Sequence, residues 1–384
     1  MTTHPLLSKE ISEFVATFNP REALSVLLKK PLFPEVTNQQ LVQQIEGRAI
    51  AAKKLPFLDR TDILFPPKLN LEQTSSQTTA AYKAQQVSGT RFLDLTCGFG
   101  IDAYFLSAHF EETTLVERNT ALMEMVMHNW DALSKKATFI NEDLEAFLAQ
   151  DNQTYDLIYL DPARRNQQQK KVFLLEDLSP NLLDIQNQLL EKSTKILIKL
   201  SPLIDLKYLT TVLKSIEWIH IVAVKNEVKE VLVLQNICYT QDKISCKAVN
   251  LESHEPDFDF SIDDIHTQSI AYAAPLRYLY IPNHAVLKSG AFGVLASRFG
   301  LKKLHPNTHF FTSDDIVEGF PGRILEVEPI ESKRLKKNDI YNIISKNHPL
   351  SPQQIKKKYK LKDGGTDYLI FTQSIDGKII LKSI

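Results

Sequence analysis

A chain of 384 residues with 43% hydrophobic and 24% charged residues is long enough for two or three domains and too apolar for a disordered one. Its formal net charge of −1 gives no global attraction to nucleic acid, and three cysteines without CxxC spacing exclude a zinc ribbon or a disulfide framework. No apolar run reaches the roughly 18 residues of a membrane span and no basic-then-apolar leader opens the chain, so a cytoplasmic protein without membrane or metal partners is expected.

Residues 3–55 carry Leu6, Leu7, Ile11, Phe14 and Val15 at helical spacing. Pro20 can open a second helix holding Ala23, Leu24, Val26, Leu27 and Leu28. Thr37 or Asn38 can cap a third, running through Leu41, Ile45 and Ile50. Proline-rich residues 56–70 read as a linker. Residues 1–70 are thus expected to be a helical cap and linker. Ser75 or Ser76 then starts a helix with Thr79, Ala80, Tyr82 and Lys83, placed to cover a cofactor.

Next comes Arg91-Phe-Leu-Asp-Leu-Thr-Cys-Gly-Phe-Gly100, an apolar run ending in Asp94 and followed by Gly98 and Gly100. It reads as a buried strand, a glycine turn and a helix, the place where α/β proteins bind nucleotides. Gly98 to Ala103 fits a dinucleotide fingerprint, with Glu117 19 residues after Gly98. The order acidic residue, three residues, Gly-x-Gly also resembles motif I of class I methyltransferases, which bind S-adenosylmethionine (SAM). Cys97 is read as a small filler in this turn.

From here strands and helices alternate. Strands are expected at 91–96, 113–117, 137–141, 155–161, 195–201, 219–225 and 230–237, and helices near 101–109, 119–134, 143–150, 181–192 and 205–215. Alternation predicts a parallel sheet covered on both faces. The last two strands are joined too closely for a crossover and should be antiparallel. Glu117 ends the second strand, where a carboxylate can accept ribose hydroxyls. Asp143 follows the third and reads either as an adenine contact or as the cap of helix 143–150.

Asp161-Pro162-Ala163-Arg164-Arg165 follows the fourth strand. Nucleic-acid amino-methyltransferases hold an N/D/S-P-P-x motif there, whose oxygen acceptor binds an exocyclic amine and aims its lone pair at the methyl group. Ala163 departs from the second proline, and the arginines from the usual aromatic, although an arginine plane can stack on a base. An NAD site would leave Asp161-Pro162 without a role. A strand-ending turn is the structural alternative. The basic loop Asn166 to Lys171 could contact phosphates through Arg164, Arg165, Lys170 and Lys171, or be a solvated loop. Asp161, Lys199 and Glu227, with Lys83, also resemble the Lys-Asp-Lys-Glu set of ribose 2′-O-methyltransferases, where a lysine takes a hydroxyl proton. Methylation of pyrimidine carbon is not expected, since no cysteine lies near Asp161.

Acidic residues 252–268 read as a domain boundary. Residues 270–330 carry short strands and turns. Residues 331–384 hold 12 Lys+Arg against 5 Asp+Glu, a local basic module on an acidic remainder. Helices are expected there at 337–346 and 351–359, then a hairpin turning at Asp376-Gly377.

Ser75 to Lys83, DLTCGFGID at 94–102, Val116-Glu117, Asn141-Glu-Asp143 and DPARR at 161–165 together resemble a bacterial family, frequent in Bacteroidetes. Its members are class I methyltransferases with a THUMP-like C-terminus, distantly similar to trimethylguanosine synthase. Ile198 to Pro202, Glu227 to Glu230, Tyr280 to Phe292 and Lys362 to Asp367 share the resemblance. It implies an α/β class I (Rossmann-like) methyltransferase sheet at 71–250, a ferredoxin-like α+β unit at 265–330, a THUMP-like unit at 331–384, SAM as cofactor and RNA as substrate. The expected cofactor contacts are Asp94, Thr96, Gly98, Gly100, Asp102, Glu117, Arg118, Asp143, Leu144 and Asp161. The expected catalytic residues are Asp161, Pro162, Ala163 and Arg164, with Arg164, Arg165 and Lys199 on the substrate. Methylation of an exocyclic base nitrogen of RNA is the first reading, 2′-O-methylation the second, and a non-catalytic RNA-binding protein the third.

Overall fold

The computed structural model describes residues 4–164 and 174–384, without the side chains of Arg164 and His266. Two compact units emerge: Met1–Ile216 with Val233–Tyr239, and Glu217–Leu232 with Thr240–Ile384. The division falls inside the strands that close the methyltransferase pattern.

The first unit opens with α1 (Lys9–Thr17), a 3₁₀ segment (Pro20–Leu28) and α2 (Asn38–Lys54). The second expected helix is thus 3₁₀. Its buried residues, Ala23 and Val26, are three apart, the spacing at which side chains eclipse in a three-residue turn. Thr37 and Gln40 form a capping box on α2. Residues 56–70 are no free linker. Leu64 and Phe65 are buried, and side-chain amides replace the strand partners they lack. Asn129 bonds both the N–H and the C=O of Leu64 at 2.8 Å. Gln44 bonds the N–H and C=O of Phe65 at 3.0 and 2.9 Å. Such pairing satisfies backbone groups that burial would otherwise leave unpaired.

Then follow α3 (Lys68–Gln73), α4 (Gln77–Ala84), β1 (Arg91–Asp94), α5 (Ile101–Leu106), β2 (Glu112–Val116), α6 (Thr120–Ala132), β3 (Thr138–Ile140), α7 (Leu144–Gln150) and β4 (Tyr155–Leu160). A two-stranded ribbon, β5 (Ala163–Arg164) with β6 (Leu178–Ser179), precedes α8 (Leu182–Lys192), β7 (Ser193–Leu200) and α9 (Leu206–Val212). The order is β7-β4-β1-β2-β3, all parallel, with residues 233–236 beside β7. Phe92, Leu93, Ile158, Ile196 and Leu197 are fully buried, as strands covered on both faces require. The chain order reverses between β1 and β4, so their carboxyl ends frame the crevice where ligands bind.

In the second unit β8 (Ile216–Val224) and β9 (Glu227–Asn236) are joined by Lys225 and Asn226, with φ of 48° and 64°. Positive φ at both residues makes a type I′ turn, which returns the chain antiparallel as expected. β10 (Ser245–Leu251) runs parallel to β8, and β11 (Phe258–Ser261) antiparallel to β10. The segment read as a boundary thus holds a strand: Phe258 and Phe260 point inward and Asp259 outward.

A seven-stranded sheet follows, ordered β13-β14-β12-β15-β18-β17-β16. Its elements are β12 (Tyr278–Pro282), α10 (His284–Ser289), α11 (Phe292–Phe299), β13 (Lys302–His305), β14 (Thr308–Ser313), β15 (Gly322–Pro329), β16 (Ile340–Ser345), α12 (Pro352–Tyr359), β17 (Lys362–Ser374) and β18 (Gly377–Ser383). β15 pairs with both β12 and β18, so the segments expected at 265–330 and 331–384 share one sheet. The expected helix at 337–346 is instead strand β16. Its β-branched Ile340, Ile343 and Ile344 suit a pleated surface, and Ile343 and Ile344 pack into different apolar clusters, on opposite faces.

Candidate active site

The β1–α5 turn rests on two glycines in the left-handed region, Gly98 (φ 55°) and Gly100 (φ 74°). A Cβ on Gly100 would also lie 3.1 Å from both Trp130 Nε1 and Val126 Cγ1. Asp94 is 1% exposed beneath the turn, where its Oδ1 accepts the Thr96 N–H at 2.8 Å. Burial, reinforced by Asp102, Asp161 and Glu117, raises the Asp94 carboxyl well above the usual range against the Thr96 N–H. Glu117, at the end of β2, accepts the Gly98 N–H at 3.0 Å and the Asn119 N–H at 2.8 Å. It therefore ties the glycine turn to the neighbouring strand.

Asp143 caps α7 by accepting the Glu145 N–H at 3.1 Å, as one of its two sequence readings expects, and it also lines the crevice. A hydrogen bond shared with the Glu145 carboxyl lowers the Asp143 pKa and raises that of Glu145. These groups border a cleft of about 380 Å³, to which Gly98, Asp102, Glu117, Arg118, Leu144 and Asp161 also contribute.

Asp161 and Pro162 follow β4 directly. The Asp161 N–H donates to Thr96 Oγ1 at 2.7 Å, which pins the Asp-Pro corner onto the glycine turn. Pro162 is buried, and Ala163 is exposed in the β5–β6 ribbon. The Arg164 side chain, Arg165, Lys170, Lys171 and most of the basic loop lie outside the described residues.

Beneath the corner sits a charged cluster. Lys199 Nζ lies 2.5 Å from Asp161 Oδ2 and 3.7 Å from Asp102 Oδ2. Lys83 Nζ, fully buried, lies 3.2 Å from Asp102 Oδ1. The hydroxyls of Ser75 and Tyr159 both donate to Asp102 Oδ2 at 2.7 Å. Burial alone would raise the Asp102 carboxyl; Lys83, Lys199 and the two hydroxyls more than offset it and hold it at about 2. Asp102, which also lines the cleft, is engaged by four side chains in this cluster, and Lys199 is a counter-ion of Asp161 and Asp102. The other proposed member of the set, Glu227, is exposed and paired with Lys229 at 2.7 Å; Asp102 takes the acidic place beside the two lysines.

Sequence reasoning missed Tyr159, Ser179 and Pro180, and the α3 edge of the cleft, Asn70, Gln73 and Thr74. Tyr159 alone carried a signal, because a phenol inside an apolar strand must find a partner.

The sequence matches the family model of conserved hypothetical protein 95 over residues 74–210, a ferredoxin-like domain over 278–321 and a THUMP-like domain over 323–381. Among solved structures, a candidate methyltransferase from Porphyromonas gingivalis W83 is 32% identical, with 97% of this chain and 96% of that one covered, at a TM-score of 0.84. The chain belongs to this methyltransferase family. Two partial likenesses concern the fold region alone and add nothing to the assignment. One is the candidate methyltransferase yhhF of Escherichia coli (20% identity, 42% of this chain, 84% of that one, TM-score 0.31). The other is a Streptococcus mutans candidate in complex with SAH (12% identity, 41% and 94%, TM-score 0.30). No curated protein matches the chain.

The methyl donor of this methyltransferase is SAM, and the residues present fit it. Two glycines leave room for close backbone approach, the Glu117 carboxylate lines the cleft at the end of β2, and the cleft is of the size that small-molecule ligands fill. Among the described residues no His, Cys, Asp and Glu group could hold a metal, and no helix is long and apolar enough to cross a membrane.

Proposed function

We propose that this methyltransferase modifies an exocyclic amine of a base in RNA. The observation that carries the reading is the Asp161 N–H bond to Thr96 Oγ1. It sets the Asp161 carboxylate at the cleft that the glycine turn also borders. In this reading Gly98, Gly100, Glu117, Arg118, Asp143 and Leu144 hold SAM, which supplies an electrophilic methyl group. Asp161 accepts one amine hydrogen, the backbone after it accepts the other, and the nitrogen lone pair is left facing the methyl carbon. Pro162 and Ala163 hold the corner, and Arg164 and Arg165 are the residues assigned to RNA contact. Catalysis is then mostly positioning. Support for RNA comes from the THUMP-like match and from the basic surface of residues 331–384.

The Lys83–Asp102–Lys199–Asp161 cluster favours a second reading, proton removal from a ribose 2′-hydroxyl by Lys199. Against it, Lys199 lies between two carboxylates and serves as counter-ion to both.

The test is methyl transfer from tritiated SAM to total RNA, followed by digestion to nucleosides. Label on a base amine supports the proposal. Label on ribose favours the second reading, and no transfer to RNA removes both.

A further inference from the structure

Two lysines and two carboxylates are held together under the cleft, although catalysis by positioning asks only for one acceptor at Asp161. We propose that Lys199 is a positioning residue: it pins Oδ2 of Asp161, leaves Oδ1 free to accept the substrate amine, and is itself held in place by the Asp102–Lys83 pair behind it. The proposal rests on the amine-methylation reading and adds to it how the acceptor is aimed.

The geometry is directional. Lys199 Nζ meets Oδ2 of Asp161 at 2.5 Å, and among the described residues no donor reaches Oδ1. Lys199 is itself held at two further points, Ser75 Oγ at 3.2 Å and Asp102 Oδ2 at 3.7 Å. Asp102 is in turn fixed from three elements: Lys83 of α4 at 3.2 Å, Tyr159 of β4 at 2.7 Å, and Ser75, ahead of α4, at 2.7 Å. Ser75 also accepts from Lys83 Nζ at 3.2 Å, which ties both lysines to one hydroxyl. Two cations and two anions make the cluster neutral: the side chains of Lys83, Asp102 and Lys199 are no more than 11% exposed, while that of Asp161 is 37% exposed. Removing Lys83 or Asp102 leaves an unbalanced buried charge, which makes the arrangement an expensive way to build mere packing.

Asp161 faces Lys199 from β7, Asp102 from α5, Lys83 from α4 and Asp94 from β1. Burial raises its carboxyl pKa; Lys199 and the more distant Lys83 oppose that, and Asp102 adds to it. The device therefore predicts opposite signs for its two nearest members. A neutral Lys199, as proton removal by it requires, predicts no such pattern at Asp161.

The experiment is a carbon-13 NMR titration of aspartate carboxyls in the full chain without SAM, with the Asp161 signal identified by its absence in Asp161→Asn. In Lys199→Met the Asp161 midpoint should rise by about 1–3 pH units, the scale for losing an adjacent opposite charge. In Asp102→Asn it should fall, because Lys199 then serves one carboxylate. Lys199→Arg should keep it near the wild-type value. SAM affinity is measured for every variant by calorimetry, so that a loss of cofactor binding is separated from a shift at Asp161. An unmoved midpoint in Lys199→Met, or a rise in Asp102→Asn, would overturn the proposal. If Lys199→Met does not fold, Asp102→Asn and Lys199→Arg decide by the same signs. Methyl transfer to total RNA is assayed in parallel, with the acid limb of the pH–rate profile expected to move with the midpoint. Correct NMR shifts without any RNA methylation would remove the amine reading and leave the pairing; methylation without the shifts would do the reverse.

Discussion

Thr96→Val removes the hydroxyl that holds Asp161 and changes nothing else in shape. The bond is short, 2.7 Å, and partly buried, and its donor is the backbone N–H at the Asp-Pro corner. Valine leaves that N–H without a partner, which costs about 1–3 kcal/mol. Where the folded unit retains its geometry, the loss appears as stability. At about 1–2 kcal/mol it lowers the melting temperature by roughly 2–8 °C, since each kcal/mol shifts a domain of this size by about 2–4 °C. Where the corner relaxes instead, Asp161 leaves its position, and the same energy lowers methyl transfer by about 5–30-fold. Thr96→Ser retains the acceptor and should behave like the wild type. SAM affinity, measured by calorimetry, should change little, because Thr96 acts through Asp161. Wild-type melting together with wild-type single-turnover transfer in Thr96→Val would refute the coupling of the corner to the glycine turn.

Gly100→Ala places a Cβ 3.1 Å from Trp130 and Val126 at φ 74°, so the turn should distort and SAM binding fall below detection by calorimetry. The Asp102 carboxyl sits at about 2 in the folded chain and near 3.9 unfolded, so its stabilisation is fully present above about pH 4 and is lost as pH falls through 2. Denaturant midpoints between pH 5 and 3 should therefore fall less steeply in Asp102→Asn; equal slopes would contradict the depressed pKa. Asp94 is raised, so it is protonated over a wider range and must ionise beside a cationic ligand. SAM binding should then release protons below neutrality, read as an enthalpy that depends on the buffer. On α12, Lys357 and Lys358 are exposed, and their joint change to Glu should weaken binding to total RNA and flatten its salt dependence. Deleting residues 331–384 instead would strip β18 from β15 and break the sheet, so it cannot serve as that test.

The sheet and glycine turn were legible in the sequence because each signal was local. Alternating apolar runs mark β1 to β4, two glycines mark the turn, Glu117 sits one residue past β2, and Asp143 sits one residue before α7. Of the charged cluster, Lys83, Asp161 and Lys199 were grouped in the sequence by their likeness to the Lys-Asp-Lys-Glu set, but Ser75, Asp102 and Tyr159 were not, because they come from separate places in the chain that only the fold brings together. Asp102 is the second residue of α5, and nothing nearby reveals that Lys83 meets it from α4. β16 was mistaken for a helix because Ile340, Ile343 and Ile344 satisfy helical spacing, while their β-branching argued for a strand. The stretch around Phe65 looked like a linker because its backbone partners are side chains of Gln44 and Asn129, from distant helices.

The most direct measurement is mass spectrometry of nucleosides from total RNA of cells with the gene, without it, and with the gene encoding Asp161→Ala. The account predicts that one base-amine methylation disappears on deletion, returns with the wild-type gene and does not return with Asp161→Ala. Loss of a 2′-O-methyl group instead, or full restoration by Asp161→Ala, would contradict it.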